Sequence, residues 1–130
     1  MTLNDPLANV LSAVQNAEQR GKSQITTKSN STLVRKVLDL MIAEGYLQSY
    51  EQTQDSKGDL LIVRLSGRIN KTGVVKPRYQ IKKDEFERFE KRFLPARGFG
   101  IIIISTVKGL MTHEQAKQLN LGGTLISYCY

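Results

Sequence analysis

Apolar residues near the start of the chain recur three or four positions apart, at Leu7, Val10, Leu11, Val14 and Ala17. That spacing lines one face of an α-helix. Asp5-Pro6 supplies a capping oxygen and then a ring that pre-sets the first helical φ, and Gly21 after Arg20 supplies a stop. A second stripe, Leu33, Val34, Val37, Leu38, Met41 and Ile42, starts near the capping oxygens of Asn30 and Ser31 and ends at Gly45. Between the helices, Lys22 to Lys28 predicts a short strand around Ile25, Thr26 and Thr27. Tyr46 to Gln52 reads as extended, Asp55-Ser56-Lys57-Gly58 as a turn and Leu60 to Leu65 as a strand, which together make a hairpin. The predicted order is αβαββ.

The pattern changes after Gly67. A polar loop to Gly73 carries Arg68 and Lys71, and then apolar Val75, Pro77, Tyr79 and Ile81 alternate with Lys76, Arg78, Gln80 and Lys82. Alternation predicts a strand with one apolar face and one largely basic face, and Pro77 places it at a sheet edge or at an irregularity, since proline cannot donate to a ladder. Asp84 and Glu87 fit a capping box for a helix bearing Phe86, Phe89 and Phe93, with Glu87 and Lys91 at pairing distance along it. We assign the three rings to packing rather than to base stacking, and end the helix at Leu94-Pro95. Phe99 to Ser105 and Thr124 to Tyr130 read as strands buried on both faces. The expected fold is α+β in two small domains: an N-terminal αβαββ unit, 1–66, and a C-terminal β-rich domain with short helices, 67–130.

The 130 residues are 40% hydrophobic and 24% charged, as in ordinary globular proteins. The single cysteine, Cys129, cannot close an intramolecular disulfide, and the N-terminus lacks the look of a secretion signal, so a reducing, intracellular location is expected. Apolar runs such as Ile101 to Ile104 fall far short of the ~20 residues a spanning helix needs, so no membrane is expected. Charge is divided unevenly. Residues 1–66 carry seven basic and seven acidic side chains, residues 67–130 twelve and five, so the whole net charge of +7 falls in the second part. A basic half of this kind suits a polyanion, although charge alone equally fits a merely soluble surface.

Catalysis finds no support in the residues. His113, the only histidine, has no second histidine or cysteine at ligand spacing and reads as a solvated side chain at a helix start. No nucleophile elbow and no glycine-rich phosphate loop is present, so no metal, cofactor, small-molecule substrate or enzymatic activity is expected. The stretch Ser105-Thr106-Val107-Lys108-Gly109-Leu110-Met111-Thr112 is richer. It reads as a loop leading into a helix capped by Thr112 and Gln115, and it offers two hydroxyls, a lysine and a glycine. Hydroxyls can address ribose and base edges, glycine allows close backbone approach and lysine answers a phosphate. The same residues also suit an ordinary strand-to-helix turn.

That stretch, with Glu114-Gln115-Ala116 and Leu121-Gly122-Gly123 after it, resembles the C-terminal signature of the universal small-subunit ribosomal protein eight family. Leu94-Pro95-Ala96-Arg97 with Phe99-Gly100, Gly67-Arg68-Ile69-Asn70-Lys71 with Gly73, and Lys76-Pro77-Arg78-Tyr79 resemble its archaeal and eukaryotic branch. Asp5-Pro6-Leu7-Ala8, Asn16-Ala17-Glu18 and Gly21-Lys22 match as well. The chain departs from the pattern at Ser29-Asn30-Ser31-Thr32, which lacks the usual lysine, and at Gly98, which replaces an acidic or amide residue.

The resemblance implies a two-domain α+β protein that binds the central domain of small-subunit rRNA early in assembly, beside other small-subunit ribosomal proteins and without a cofactor. It points first to Ser105, Thr106 and Gly109, with Lys108 as a basic neighbour, and then to Gly122 and Gly123, for which a purely structural turn is an equal reading. The basic residues Lys76, Arg78, Lys82, Arg97, Arg68 and Lys71 complete the expected RNA-binding set. Two rival classes stay open: an enzyme or nucleotide-binding module acting on an anionic small ligand, and an adaptor whose basic stripe meets an acidic protein.

Overall fold

The computed structural model describes residues 6–28, 31–55, 58–76, 78–96 and 98–130. The expected cap at Asp5, the stretch Ser29-Asn30, the turn residues Ser56-Lys57, the ring of Pro77 and the RNA candidate Arg97 lie outside them. The fold is α+β, with mixed helix and strand in the first part and a strand-rich second part. The chain divides into two compact units, which meet in sequence between Thr72 and Gly73.

In the first unit, helix α1 (Pro6–Gln19) buries all five residues of the first stripe. Helix α2 (Thr32–Ala43) begins where the Ser31 hydroxyl accepts from the Val34 N–H at 3.2 Å, and it buries Val34, Val37, Leu38 and Met41. Strands β1 (Gln24–Thr27), β2 (Leu47–Asp55) and β3 (Gly58–Leu65) form an antiparallel sheet in the order β1-β3-β2. Asp55 pairs with Gly58, which closes the expected hairpin. On β3, Leu61, Val63 and Leu65 are buried at alternate positions.

The segment expected to open the second domain belongs to the first unit. Gly67 donates its N–H to Glu18 at 3.2 Å, Thr72 donates to Gln15 at 3.0 Å, and Ile69 is buried. Two side chains of α1 thus hold backbone donors of residues 67–72, and the boundary falls after that stretch instead of at Ser66-Gly67. With it go Arg68 and Lys71. The first unit then has nine basic and seven acidic residues and the second ten and five, net +2 and +5.

The second unit contains β4 (Thr72–Val74, which crosses the boundary), β5 (Gln80–Ile81), α3 (Phe86–Phe93), β6 (Ile101–Thr106), β7 (Gly109–Thr112), α4 (His113–Gln118) and β8 (Gly123–Cys129). The sheet runs β4-β8-β6-β7, with β5 also on β8. Its core joins Val75, Ile81, Ile102, Ile104, Met111 and Leu125 to Phe86 and Phe89 of α3 and Ala116 of α4. Burying rings such as Phe86 and Phe89 contributes roughly 1.5–3 kcal/mol each.

Three expectations change here. The strand expected over Val75 to Lys82 is interrupted: Val75 donates to the Ile126 carbonyl and the Tyr79 carbonyl accepts from Leu125, but no ladder joins them. A proline at position 77 has no N–H to give such a ladder. Exposure still alternates, with Val75 and Ile81 buried and Lys76, Arg78, Gln80 and Lys82 outside. The Asp84–Glu87 capping box is absent, because Glu85 occupies the cap position without a side-chain cap, and its carboxylate accepts from the Lys82 N–H at 2.8 Å. Phe99, expected inside, is 51% exposed, since the buried strand starts only at Ile101.

Candidate nucleic-acid interface

Residues 105–112 form a tight hairpin rather than a loop. Thr106 pairs with Gly109, so β6 and β7 are joined by Val107 and Lys108 alone. Thr106 holds the turn: its hydroxyl donates to the Gly109 carbonyl at 2.9 Å and accepts from the Lys108 N–H at 3.1 Å. A threonine expected to face a ligand with its hydroxyl is therefore committed to its own backbone. Ser105, next along β6, has no hydroxyl partner among the described residues and is only half-buried. At the tip Val107 is 92% exposed beside exposed Lys108. Sequence reading passed over Val107, because nothing marks a lone valine as a turn tip.

The glycine pair closes one side of the same region. A Cβ on Gly123 would run into the Ser105 carbonyl oxygen, and one on Gly122 would lie 2.5 Å from the Ile81 carbonyl and 3.2 Å from the Lys82 Cα. Backbones of β5 and β6 thus press on the start of β8 from two sides, and only a residue without Cβ fits. What remains above them is an open depression of about 330 Å³, lined by Gln80, Ile81, Ser105, Thr106, Val107, Gly122, Gly123 and Thr124. It joins four expected residues, Ser105, Thr106, Gly122 and Gly123, while Gly109 and Lys108 belong to the same hairpin and Lys82 follows the lining residue Ile81 in sequence. Gln80 and Thr124 add polar groups that sequence reasoning did not single out. Lys76 and Arg78 are exposed nearby in sequence but do not line it, and Arg68 and Lys71 belong to the other unit. A hollow of about 380 Å³ in the first unit, between α1 and β1, has Arg20 and Lys22 among its lining.

Behind the hairpin, His113 anchors its far end. It is 1% exposed, contrary to the solvated side chain expected. The β6–β7 ladder begins at Ile103 opposite Thr112, so the Ile102 N–H lies just past the end of β7, where the chain turns into α4. The Nδ1 of His113 accepts that N–H at 3.1 Å and so stands in for the missing strand residue. Its Nε2 faces Glu90 Oε1 at 3.4 Å, and the same buried carboxylate binds Lys117. An Nδ1 that accepts cannot also carry a proton, so the imidazole is neutral, with its one N–H on the Nε2 that faces Glu90. Burial accordingly holds the His113 pKa below its ordinary 6.5, against the opposing pull of Glu90. The expected Thr112–Gln115 capping box is present and completes the start of α4.

Among the described residues no group of three or more His, Cys, Asp or Glu side chains is placed to hold a metal ion, and no helix is long and apolar enough to cross a membrane. An open depression with a free serine hydroxyl, close-packed glycine backbone and neighbouring lysines suits recognition of a flexible, hydroxylated polyanion. Residues 5–130 match the family profile of ribosomal protein S8, so the chain belongs to that family of structural, rRNA-binding proteins of the small ribosomal subunit.

Proposed function

We propose that the protein binds the central domain of small-subunit rRNA through the β6–β7 hairpin and the Gly122-Gly123 edge, and that it supports subunit assembly in the cytoplasm as a member of the archaeal and eukaryotic branch. It has no small-molecule substrate and works beside other ribosomal proteins. The observation that carries this reading is the Ser105 hydroxyl, left without an internal partner among the described residues at an open depression while the neighbouring Thr106 hydroxyl has its proton committed to the turn.

The two hydroxyls therefore separate under mutation. Ser105→Ala is expected to weaken binding of a central-domain rRNA fragment by about 0.5–1.5 kcal/mol, with an unchanged urea midpoint. Thr106→Ala is expected to lower the midpoint as well, because it frees the turn. Both are read by filter-binding affinity alongside denaturant melts; an unaltered affinity for Ser105→Ala would remove the depression from the interface.

Charge gives an independent check on where RNA lies. If Lys76, Arg78, Lys82, Arg97 and Lys108 each neutralise one phosphate, log K against log salt should carry a slope of roughly −3.5 to −4.5 from them, at about 0.7–0.9 per contact. Alanine at any one should make it shallower by one contact. Arg20→Ala and Lys36→Ala, in the first unit, should leave it nearly unchanged. Equal changes from both sets would move the interface toward the Arg20 hollow.

A further inference from the structure

The sequence assigned the phenylalanine stripe of α3 to packing, and all three rings do pack: Phe86 and Phe89 within the core, Phe93 against its edge together with Tyr79, Tyr128 and Tyr130. Phe86 and Phe89 are buried, but Phe93 is only partly so. Phe93 stacks on Tyr128 with ring centroids 5.6 Å apart and planes at 27°, and Tyr128 continues onto Tyr130 at 6.4 Å and 24°. The Arg92 guanidinium lies over both Phe93, at 5.5 Å, and Tyr79, at 5.2 Å. Tyr79, Phe93, Tyr128 and Tyr130 are all partly exposed, so four of the chain's nine aromatic residues gather along one strip.

The chain makes room for this strip. A Cβ on Gly100 would meet the Tyr130 Cβ at 2.7 Å, and one on Gly73 would meet the Tyr128 hydroxyl at 3.1 Å. The charges beside it are also arranged. Arg88, Lys91 and Arg92 are exposed on α3; of the two acids in the helix, Glu90 is turned inward to His113 and Lys117, while Glu87 is exposed and makes no ion pair with them among the described residues. Arg88 has only a loose contact with Glu85 at 3.9 Å, and Lys91 and Arg92 have no ion pair among the described residues. Rim aromatics that merely roof a core need no cations laid across them. Partly open rings interleaved with cations not held in tight ion pairs are the combination that binds single-stranded nucleic acid, bases on rings and phosphates on Arg and Lys.

We propose that the strip of Arg92, Phe93, Tyr128 and Tyr130 is a second RNA-binding surface, which stacks unpaired nucleotides on its rings while Arg88, Lys91 and Arg92 meet their phosphates. Tyr128 pairs with Ile102 near the start of β6, whereas the hairpin turn follows Thr106. At ~3.3 Å per residue the two surfaces are separated by roughly 13 Å along the strand. One protein unit would then hold an RNA segment at the hairpin and an unpaired stretch at the strip. The proposal rests on the protein's being an RNA binder, and not on the depression being its main contact.

The test is photocrosslinking of the full chain to an rRNA fragment with 4-thiouridine in place of uridine, the adducts being located by peptide mass spectrometry. Adducts on Phe93, Tyr128 or Tyr130, besides any on the hairpin, are expected. Arg92→Ala is expected to weaken binding about five-fold or more, and Arg92→Lys to restore the salt slope but only part of the affinity, since lysine keeps the charge and loses the flat stacking face. Adducts confined to the hairpin, with full affinity for Arg92→Ala, would overturn the strip and leave the RNA reading standing. Absence of both adducts and binding would overturn the RNA reading itself. Chemical crosslinks from Lys91 to a neighbouring protein in the assembled subunit, with no RNA adducts on the strip, would assign it to a protein partner and also overturn the proposal.

Discussion

Gly123→Ala is expected to be among the most damaging single-methyl changes in this protein. Its new Cβ would meet a backbone carbonyl, that of Ser105, with the Ser105 carbonyl carbon at 3.0 Å and the Thr106 Cα at 3.3 Å behind it. None of these is the movable end of a side chain, so β6 and β8 must part where Ser105 pairs with Thr124. Overpacking of this kind costs about 1–3 kcal/mol, and the absence of any compliant neighbour puts Gly123 at or above the upper end. RNA affinity should fall together with the urea midpoint. Gly109→Ala is the control: a Cβ there meets nothing within 4 Å, and only its φ of 112° carries strain. A Gly123→Ala protein as stable as the Gly109→Ala one would show that the close approach of β6 and β8 is not a constraint.

His113→Ala is expected to cost about 3 kcal/mol or more, since it leaves a cavity, orphans the Ile102 N–H and strips the Glu90 carboxylate of a buried partner. Hydrogen exchange at the Ile102 amide should rise first. His113→Asn, whose side-chain oxygen can take the place of Nδ1, should recover part of that protection. The same residue sets a pH dependence. Its folded pKa lies below the unfolded 6.5, so between the two values the unfolded chain binds more protons and stability rises with pH. The stabilisation is complete above 6.5 and drains away as pH falls toward the lower folded pKa. Glu90, Lys117 and Glu114 are the charged groups that face it. Melts of wild type and His113→Asn between about pH 7.5 and 5 should converge on acidification, and parallel curves would refute the assignment.

These cases show which parts of the fold the sequence could disclose. The stripes of α1 and α2 and the β2–β3 hairpin were legible because their signals are local: period, cap and turn. Thr112 with Gln115 and Asp84 with Glu87 look alike as capping boxes, yet only the first forms, because Glu85 reaches the Lys82 N–H and shifts the start of α3. Alternation over Val75 to Lys82 foretold which side chains face out, but not that the backbone leaves the ladder. Burial of His113 was invisible, since its partners come from α3 and β6, far along the chain. For the candidate site, residue types pointed to Ser105, Thr106 and the glycine pair, while the hydroxyl that is free and the one that is spent depend on hairpin register.

The interrupted edge after β4 has a consequence for the protein before it meets RNA. An open sheet offers unpaired N–H and C=O groups to any other chain, a second copy of this one included. On this flank of the second sheet only Thr72–Val74 and Gln80–Ile81 are regular, and lysine and arginine project from the gap between them. At the other flank β7 is four residues long and ends at once in α4. Neither border of this second sheet presents a long flat template for another strand, so the same irregular segment that displays basic side chains also blunts this sheet against edge-to-edge addition.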